Sequence, residues 1–156
     1  MVVNKIVEGE EYLLIKREHP IMKRIPIFDE CVMFFAYSTK KDRDYIRAVP
    51  NLPRFKSPIV FEKHPEKLDH FYIRMVRSNK EGYNYFAVDP EDDGVYLSDK
   101  SDAVTFKFEL STLGRINIWP SDKDSVHSCF KLVDIGNLST KKLFVPETYS
   151  FRVENV

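Results

Sequence analysis

Ala103-Val-Thr-Phe-Lys-Phe-Glu-Leu110 alternates without a break. Val104, Phe106, Phe108 and Leu110 fall on one side, with Thr105, Lys107 and Glu109 on the other. Successive side chains of an extended backbone take opposite faces, so this pattern builds a strand with one apolar and one polar face. Phe71-Tyr-Ile-Arg-Met-Val-Arg77 repeats the device, with Phe71, Ile73 and Met75 opposed to Tyr72, Arg74 and Val76. Arg115-Ile-Asn-Ile-Trp119 and Tyr149-Ser-Phe-Arg-Val-Glu154 alternate in the same way. Aromatic and β-branched residues dominate all four, as suits a pleated surface.

Helical signals are weak beside this. No window of a dozen residues holds an i, i+3, i+4, i+7 apolar stripe. The best short candidates are Lys40–Tyr45 and Pro65–His70, the latter with a proline suited to a first helical turn. Nine prolines spread along the chain, which long helices do not tolerate. Turn chemistry is frequent instead. Asn79-Lys-Glu-Gly82, Asp89-Pro-Glu-Asp-Asp-Gly94, Ser111-Thr-Leu-Gly114 and Ile135-Gly-Asn137 read as turns, with Gly94 free to take positive φ. Strands are expected at about 11–17, 25–29, 31–38, 45–49, 58–63, 71–78, 83–89, 94–98, 103–110, 115–119, 129–134, 142–146 and 149–154. The segments Phe71–Leu110 and Arg115–Val156 each read as four strands, and the first 65 residues as four or five. The expected fold is all-β, a β-trefoil of about 12 short strands, in a single domain over residues 1–156. Another closed β-barrel or a sandwich is the alternative.

The stretch from Gly82 to Leu110 resembles a β-trefoil repeat of the interleukin-1, fibroblast-growth-factor and fascin type. Its aromatic strand Tyr83–Val88 crosses a polar turn into Val95-Tyr-Leu-Ser98, and a Phe-bearing strand closes it. The resemblance covers about 30 residues of this kind of pattern. It implies a recognition scaffold that binds a receptor or partner through its loops. The dense basic site of the growth factors is missing. No family receptor motif is present, so the resemblance assigns no residue a role.

Composition and charge narrow the field. The chain has 156 residues, 43% hydrophobic and 31% charged, enough to bury a core without staples. Its 24 basic and 24 acidic residues argue against a nucleic-acid binder. The balance is uneven along the chain: 15 Lys/Arg against 11 Asp/Glu in residues 1–78, then 9 against 13. Segregated in space, the two halves would make a dipole that steers a charged partner. The longest apolar run, Cys31-Val-Met-Phe-Phe-Ala-Tyr37, is far below the ~20 residues of a membrane helix, so no membrane insertion is expected. The N-terminus has no apolar h-region, which points to a cytoplasmic protein, or one secreted without a visible signal peptide. Cys31 and Cys129 read as two buried reduced thiols, a long-range disulfide being the alternative. Asn137-Leu-Ser139 is a formal glycosylation acceptor.

Candidate chemistry is sparse. His19, His64, His70 and His127 match no metal-ligand spacing, and no metal or cofactor is expected. The acidic turn Asp89, Glu91, Asp92, Asp93 fails the EF-hand template, because Lys100 stands where a ligand belongs. A solvated hairpin turn is the simpler reading. His127 and Cys129 would share a face if extended, but Phe130 and Leu132 make that segment an ordinary strand. No G-x-S-x-G elbow or glycine-rich phosphate loop occurs. No catalytic residue is expected. Two basic clusters are the candidate partner-binding residues: Lys16, Arg17, Lys23 and Arg24, then Lys40, Lys41 and Arg43. The expected function is therefore non-enzymatic protein binding, similar to an interleukin-1-like ligand. A carbohydrate- or actin-binding trefoil, a protease inhibitor and a small-ligand carrier remain as alternatives.

Overall fold

A computed structural model describes residues 2–17, 30–134, 136–142 and 150–156. The expected strand at 25–29, all but the first residue of that at 142–146, and the residues His19, Lys23 and Arg24 lie outside the described residues. Twelve strands form among those described, all paired antiparallel in one sheet. They are β1 (Glu11–Lys16), β2 (Cys31–Ser38), β3 (Arg43–Pro50), β4 (Ile59–Lys63), β5 (Phe71–Met75) and β6 (Tyr85–Val88). The second half contributes β7 (Val95–Ser98), β8 (Phe106–Leu110), β9 (Arg115–Pro120), β10 (Lys131–Val133), β11 (Asn137–Ser139) and β12 (Phe151–Asn155). Among the described residues helical structure is confined to two short 3-10 turns, Pro53–Phe55 and Lys100–Asp102.

The pairings close on themselves. β1 pairs with β4, β4 with β5, β5 with β8, β8 with β9, β9 with β12, and β12 with β1. Closure matters because an open edge presents unpaired backbone groups to other chains. The remaining strands form three hairpins, β2–β3, β6–β7 and β10–β11. These also join one another. β3 meets β7 at Tyr45–Tyr96 and β11 at Arg47–Asn137, while Gly94 and Ser139 form a bridge between the second and third hairpins. The three hairpins thus make a triangular cluster at one end of the six-strand ring.

The alternation read from the sequence sets which faces are inside. Ile73 and Met75 of β5, Phe106 of β8, Ile116 and Ile118 of β9, and Phe151 and Val153 of β12 are all buried. Their neighbours Arg74, Lys107, Asn117 and Arg152 face outward, at least partly exposed. Two aromatic clusters fill the ring. Phe61 of β4 takes Phe108 edge-on at 5.2 Å, Phe71 at 6.4 Å and Tyr12 at 6.2 Å. Phe106 takes Phe130 edge-on at 5.2 Å, and both reach Phe86. Edge-to-face pairs add ~0.5–1.5 kcal/mol beyond area burial. Both cysteines are buried and free, and desolvation pushes the Cys31 thiol up to about 12.

The structure moves three expectations. The segment Lys40–Tyr45 is a turn entering β3, not a helix. The turn expected at Ile135–Asn137 is displaced, because Asn137–Ser139 forms β11 against β3. At the acidic turn Asp93 takes positive φ (59°), while Gly94 does not. Gly94 is there for space: a Cβ would lie 2.9 Å from a ring carbon of Tyr45.

Phe61, fully buried between β1, β5 and β8, is the sharpest probe of this core. Phe61→Ala is expected to lower the unfolding free energy by ~3–5 kcal/mol, read from urea denaturation. A loss under about 1 kcal/mol would show that the ring is not packed around this side chain.

Candidate functional site: the cleft at the hairpin end

Period two decides what the hairpin end presents. On β3, Asp44, Ile46 and Ala48 are buried, so Arg43, Tyr45 and Arg47 form a row on the opposite face. Register adds Ser38 opposite Arg43, Ala36 opposite Tyr45, and Phe34 opposite Arg47. From the other hairpins, Tyr96 stands beside Tyr45 and Asn137 beside Arg47. A cleft of about 520 Å³ lies over Tyr45 and Arg47, walled by Tyr37 of β2, by Lys40 of the first hairpin turn, by Asp92, and by β11. Tyr37, 56% exposed, also borders a second hollow of about 320 Å³ with Tyr83 and Tyr96.

Asp89 organises one end of the row. It was expected in a solvated turn, yet it is 1% exposed. Its carboxylate accepts from the Arg43 guanidinium, from the Tyr45 hydroxyl at 2.8 Å and from the Glu91 amide at 2.8 Å. Lys41 approaches it at 3.5 Å and pairs with Glu91 at 2.8 Å. Burial works against the charge. The Glu91 amide, the Tyr45 hydroxyl and the Arg43 and Lys41 charges outweigh it and hold the Asp89 carboxyl below its usual range. The same burial, with the Asp89 hydrogen bond, pushes the Tyr45 phenol up to about 12. Arg43 completes the unit by lying 3.8 Å over the Tyr96 ring. The first hairpin turn is thereby tied to the turn between β6 and β7.

Arg47, at the other end of the row, is treated differently. No hydrogen bond or ion pair reaches its guanidinium from the described residues. Its Nε, like that of Arg43, is sealed from solvent without an acceptor.

The two basic clusters separate by role. Lys16 donates to the Ser150 carbonyl at 3.0 Å and lies 5.5 Å over the Phe151 ring, which ties it to β12. Arg17 is exposed. Lys41 and Arg43 belong to the Asp89 unit. Lys40 is exposed on the turn and lines the cleft. Tyr37, Tyr45, Arg47 and Tyr96 were not singled out from the sequence. The period-two row on β3 was the signal that could have found Arg47. The convergence of Tyr96 and Asn137 on it depends on long-range pairing that no local pattern carries.

Chemistry elsewhere is quiet. His127 sits in a turn before β10, with Nδ1 2.6 Å from Asp124, while the Cys129 thiol turns to the Ser125 carbonyl at 2.8 Å. They do not face each other along a strand, as the sequence pattern allowed. Among the described residues no cluster of three His, Cys, Asp or Glu side chains is placed to hold a metal ion. No helix among them is long and apolar enough to cross a membrane.

No family model and no curated protein sequence matches the chain. Its fold is shared with solved structures. The lysenin pore superposes with a TM-score of 0.68 at 13% identity, over 100% of this chain and 50% of lysenin. The complex of lysenin with phosphocholine gives 0.68 at 14%, over 99% and 47%. A salivary protein from Culex quinquefasciatus, of the Cysteins and Tryptophan-Rich family, gives 0.62 at 13%, over 96% of both chains. The chain spans about half the length of the lysenin chains it matches. At these identities the likeness is one of all-β fold.

The Asp89 unit makes a pH prediction. With its folded pKa below the ordinary 3.8, Asp89 contributes stability that is whole above that value and drains away as pH falls through the folded one. Asp89→Asn should cost about 2–4 kcal/mol at neutral pH and flatten the acid limb of the stability curve below pH ~4. Urea unfolding of both proteins between pH 2 and 7, on the order of six points, reads this out. Parallel curves would show that Asp89 is not the titrating group.

Proposed function

We propose that the chain is a non-enzymatic binding module on a β-trefoil scaffold, engaging a partner protein through the loops at its hairpin end. The six-strand ring with three mutually paired hairpins supports the trefoil reading. The observation that carries the function is the cleft itself, with an exposed tyrosine, an exposed lysine and an unengaged arginine converging over a rigid sheet. Tyrosine and arginine are the side chains on which protein interfaces most often depend. The interleukin-1-like or fascin-like resemblance of Gly82–Leu110 agrees with this reading. A salivary neighbour supports a setting outside the cell, one of the two settings the sequence leaves open.

Of the basic residues expected to bind, Arg17 and Lys40 are the two left exposed among the described residues. Lys16, Lys41 and Arg43 combine any such role with an internal one. A second reading, a small polar ligand, is favoured by the hydroxyl and amide groups of Ser38, Thr39 and Asn137 in the cleft wall. The phosphocholine complex of lysenin gives that reading a concrete probe.

Capture from the native source, with wild type and an Arg17→Glu, Lys40→Glu double variant, separates the readings. A protein held by wild type and reduced tenfold or more, on the order of 1.4 kcal/mol, by the variant supports the partner reading. Equal melting curves would keep the comparison fair. No specific protein on wild type, together with binding of phosphocholine or a sugar, would overturn it in favour of the second.

A further inference from the structure

We propose that Arg47 is the anchor of the cleft and takes a carboxylate side chain from an acidic segment of the partner protein. This rests on reading the chain as a protein-binding module. Arg43 and Arg47 occupy the same face of β3, four residues apart. Arg43 has a buried carboxylate, a phenol and an aromatic face. Arg47 has none of these, although it lies on the wall of the cleft over β3. A guanidinium offers five donors in a planar fork, a shape that matches the two oxygens of a carboxylate. Its weak hydration makes it the cation best suited to a desolvated interface.

The surroundings choose the class of anion. Asp92 and Asp134 also border the cleft, and no helix N-terminus or glycine-rich loop supplies backbone donors to it. A phosphate dianion would set its two charges against Asp92 and Asp134 with Arg47 and Lys40 to hold it, whereas a carboxylate carries a single charge. Lys40, exposed on the rim, is placed to meet a second acidic residue of the same segment. Tyr37, half exposed beside it, offers the aromatic surface that interface anchors rest against. Asn137, level with Arg47 on β11, has a free amide to accept or donate along the bound backbone.

The test is a nitrogen-15 NMR titration of the full chain, following the Arg47 Nε–Hε signal and the backbone amides of Ser38 and Asn137. The probes are a hexaglutamate peptide, the matched hexaglutamine peptide and inorganic phosphate. Hexaglutamate alone is expected to move these signals. Arg47→Lys, which keeps charge and fold but loses the fork, should weaken that binding about tenfold or more. Arg54→Ala, an exposed arginine remote from the cleft, should leave it unchanged. Equal response to hexaglutamine, equal affinity in Arg47→Lys, or no shift with any peptide overturns the proposal. A shift with phosphate alone also overturns it and reassigns the cleft to phosphate-bearing ligands. The titration needs no native partner. The capture experiment therefore tests the module reading and the titration tests the anchor, and either can fail alone.

Discussion

β1 pairs on one side with β4 and on the other with β12, and the rest of the structure depends on that double pairing. Without it the sheet would be open, with one apolar face bare and two edges unprotected. With it, six strands enclose a space that the buried faces of Tyr12, Phe61, Ile73, Phe106, Ile118 and Phe151 fill. The bonds are long-range in sequence, joining residues near 12 to residues near 155. Such contacts have a large closure entropy to overcome. Aromatic burial offsets it, which explains why the ring strands carry so many phenylalanines. The hairpin strands bury fewer apolar side chains than the ring strands do. They are held by the ring beneath them and by each other at Tyr45, Arg47 and Gly94.

This mutual support gives one end of the molecule a rigid polar surface. Rigidity is the condition for a buried charge such as Asp89. A carboxylate with 1% exposure is tolerable only where every acceptor site is met by a donor that cannot drift. Arg43, Tyr45 and the Glu91 amide come from a strand and a tight turn whose positions the sheet dictates. Gly94 belongs to the same solution, since any Cβ there would press on Tyr45.

Much of the ring was legible in the sequence, as were β2, β3, β6 and β7, but the contacts that join the hairpins were not. Alternation at Phe71–Met75, Phe106–Leu110, Arg115–Trp119 and Phe151–Glu154 announces strands because one face is buried and the other wet. β11 escapes the pattern. It is three residues long, has Leu138 and Ser139 both buried, and follows a glycine with positive φ. Asp89 was read as solvated because an Asp-Pro-Glu-Asp-Asp run looks like a turn. Its burial depends on Arg43, forty-six residues away, finding it. Charge clusters carried half the site for a related reason. A run of cations marks a surface segment, but which of them stay free is decided by carboxylates and carbonyls elsewhere in the chain.

A chain with 24 positive and 24 negative residues has no net charge to attract a partner. Recognition must then come from charges that folding leaves unmatched, and the ion pairs show which cations are consumed. Arg74 and Lys100 pair with Glu62, Arg152 with Glu30 and Glu154, and Lys41 and Arg43 with Asp89. The pairs outside the Asp89 unit, which are partly exposed, contribute about 0–1 kcal/mol each, so their value is less stability than silence. They remove these cations from competition. An arginine left without a carboxylate on the wall of a cleft, among tyrosines and free side-chain amides, is then distinguished by contrast rather than by charge density. That contrast is available only after folding, when the two arginines of β3 are seen to have the same strand, the same face and opposite surroundings.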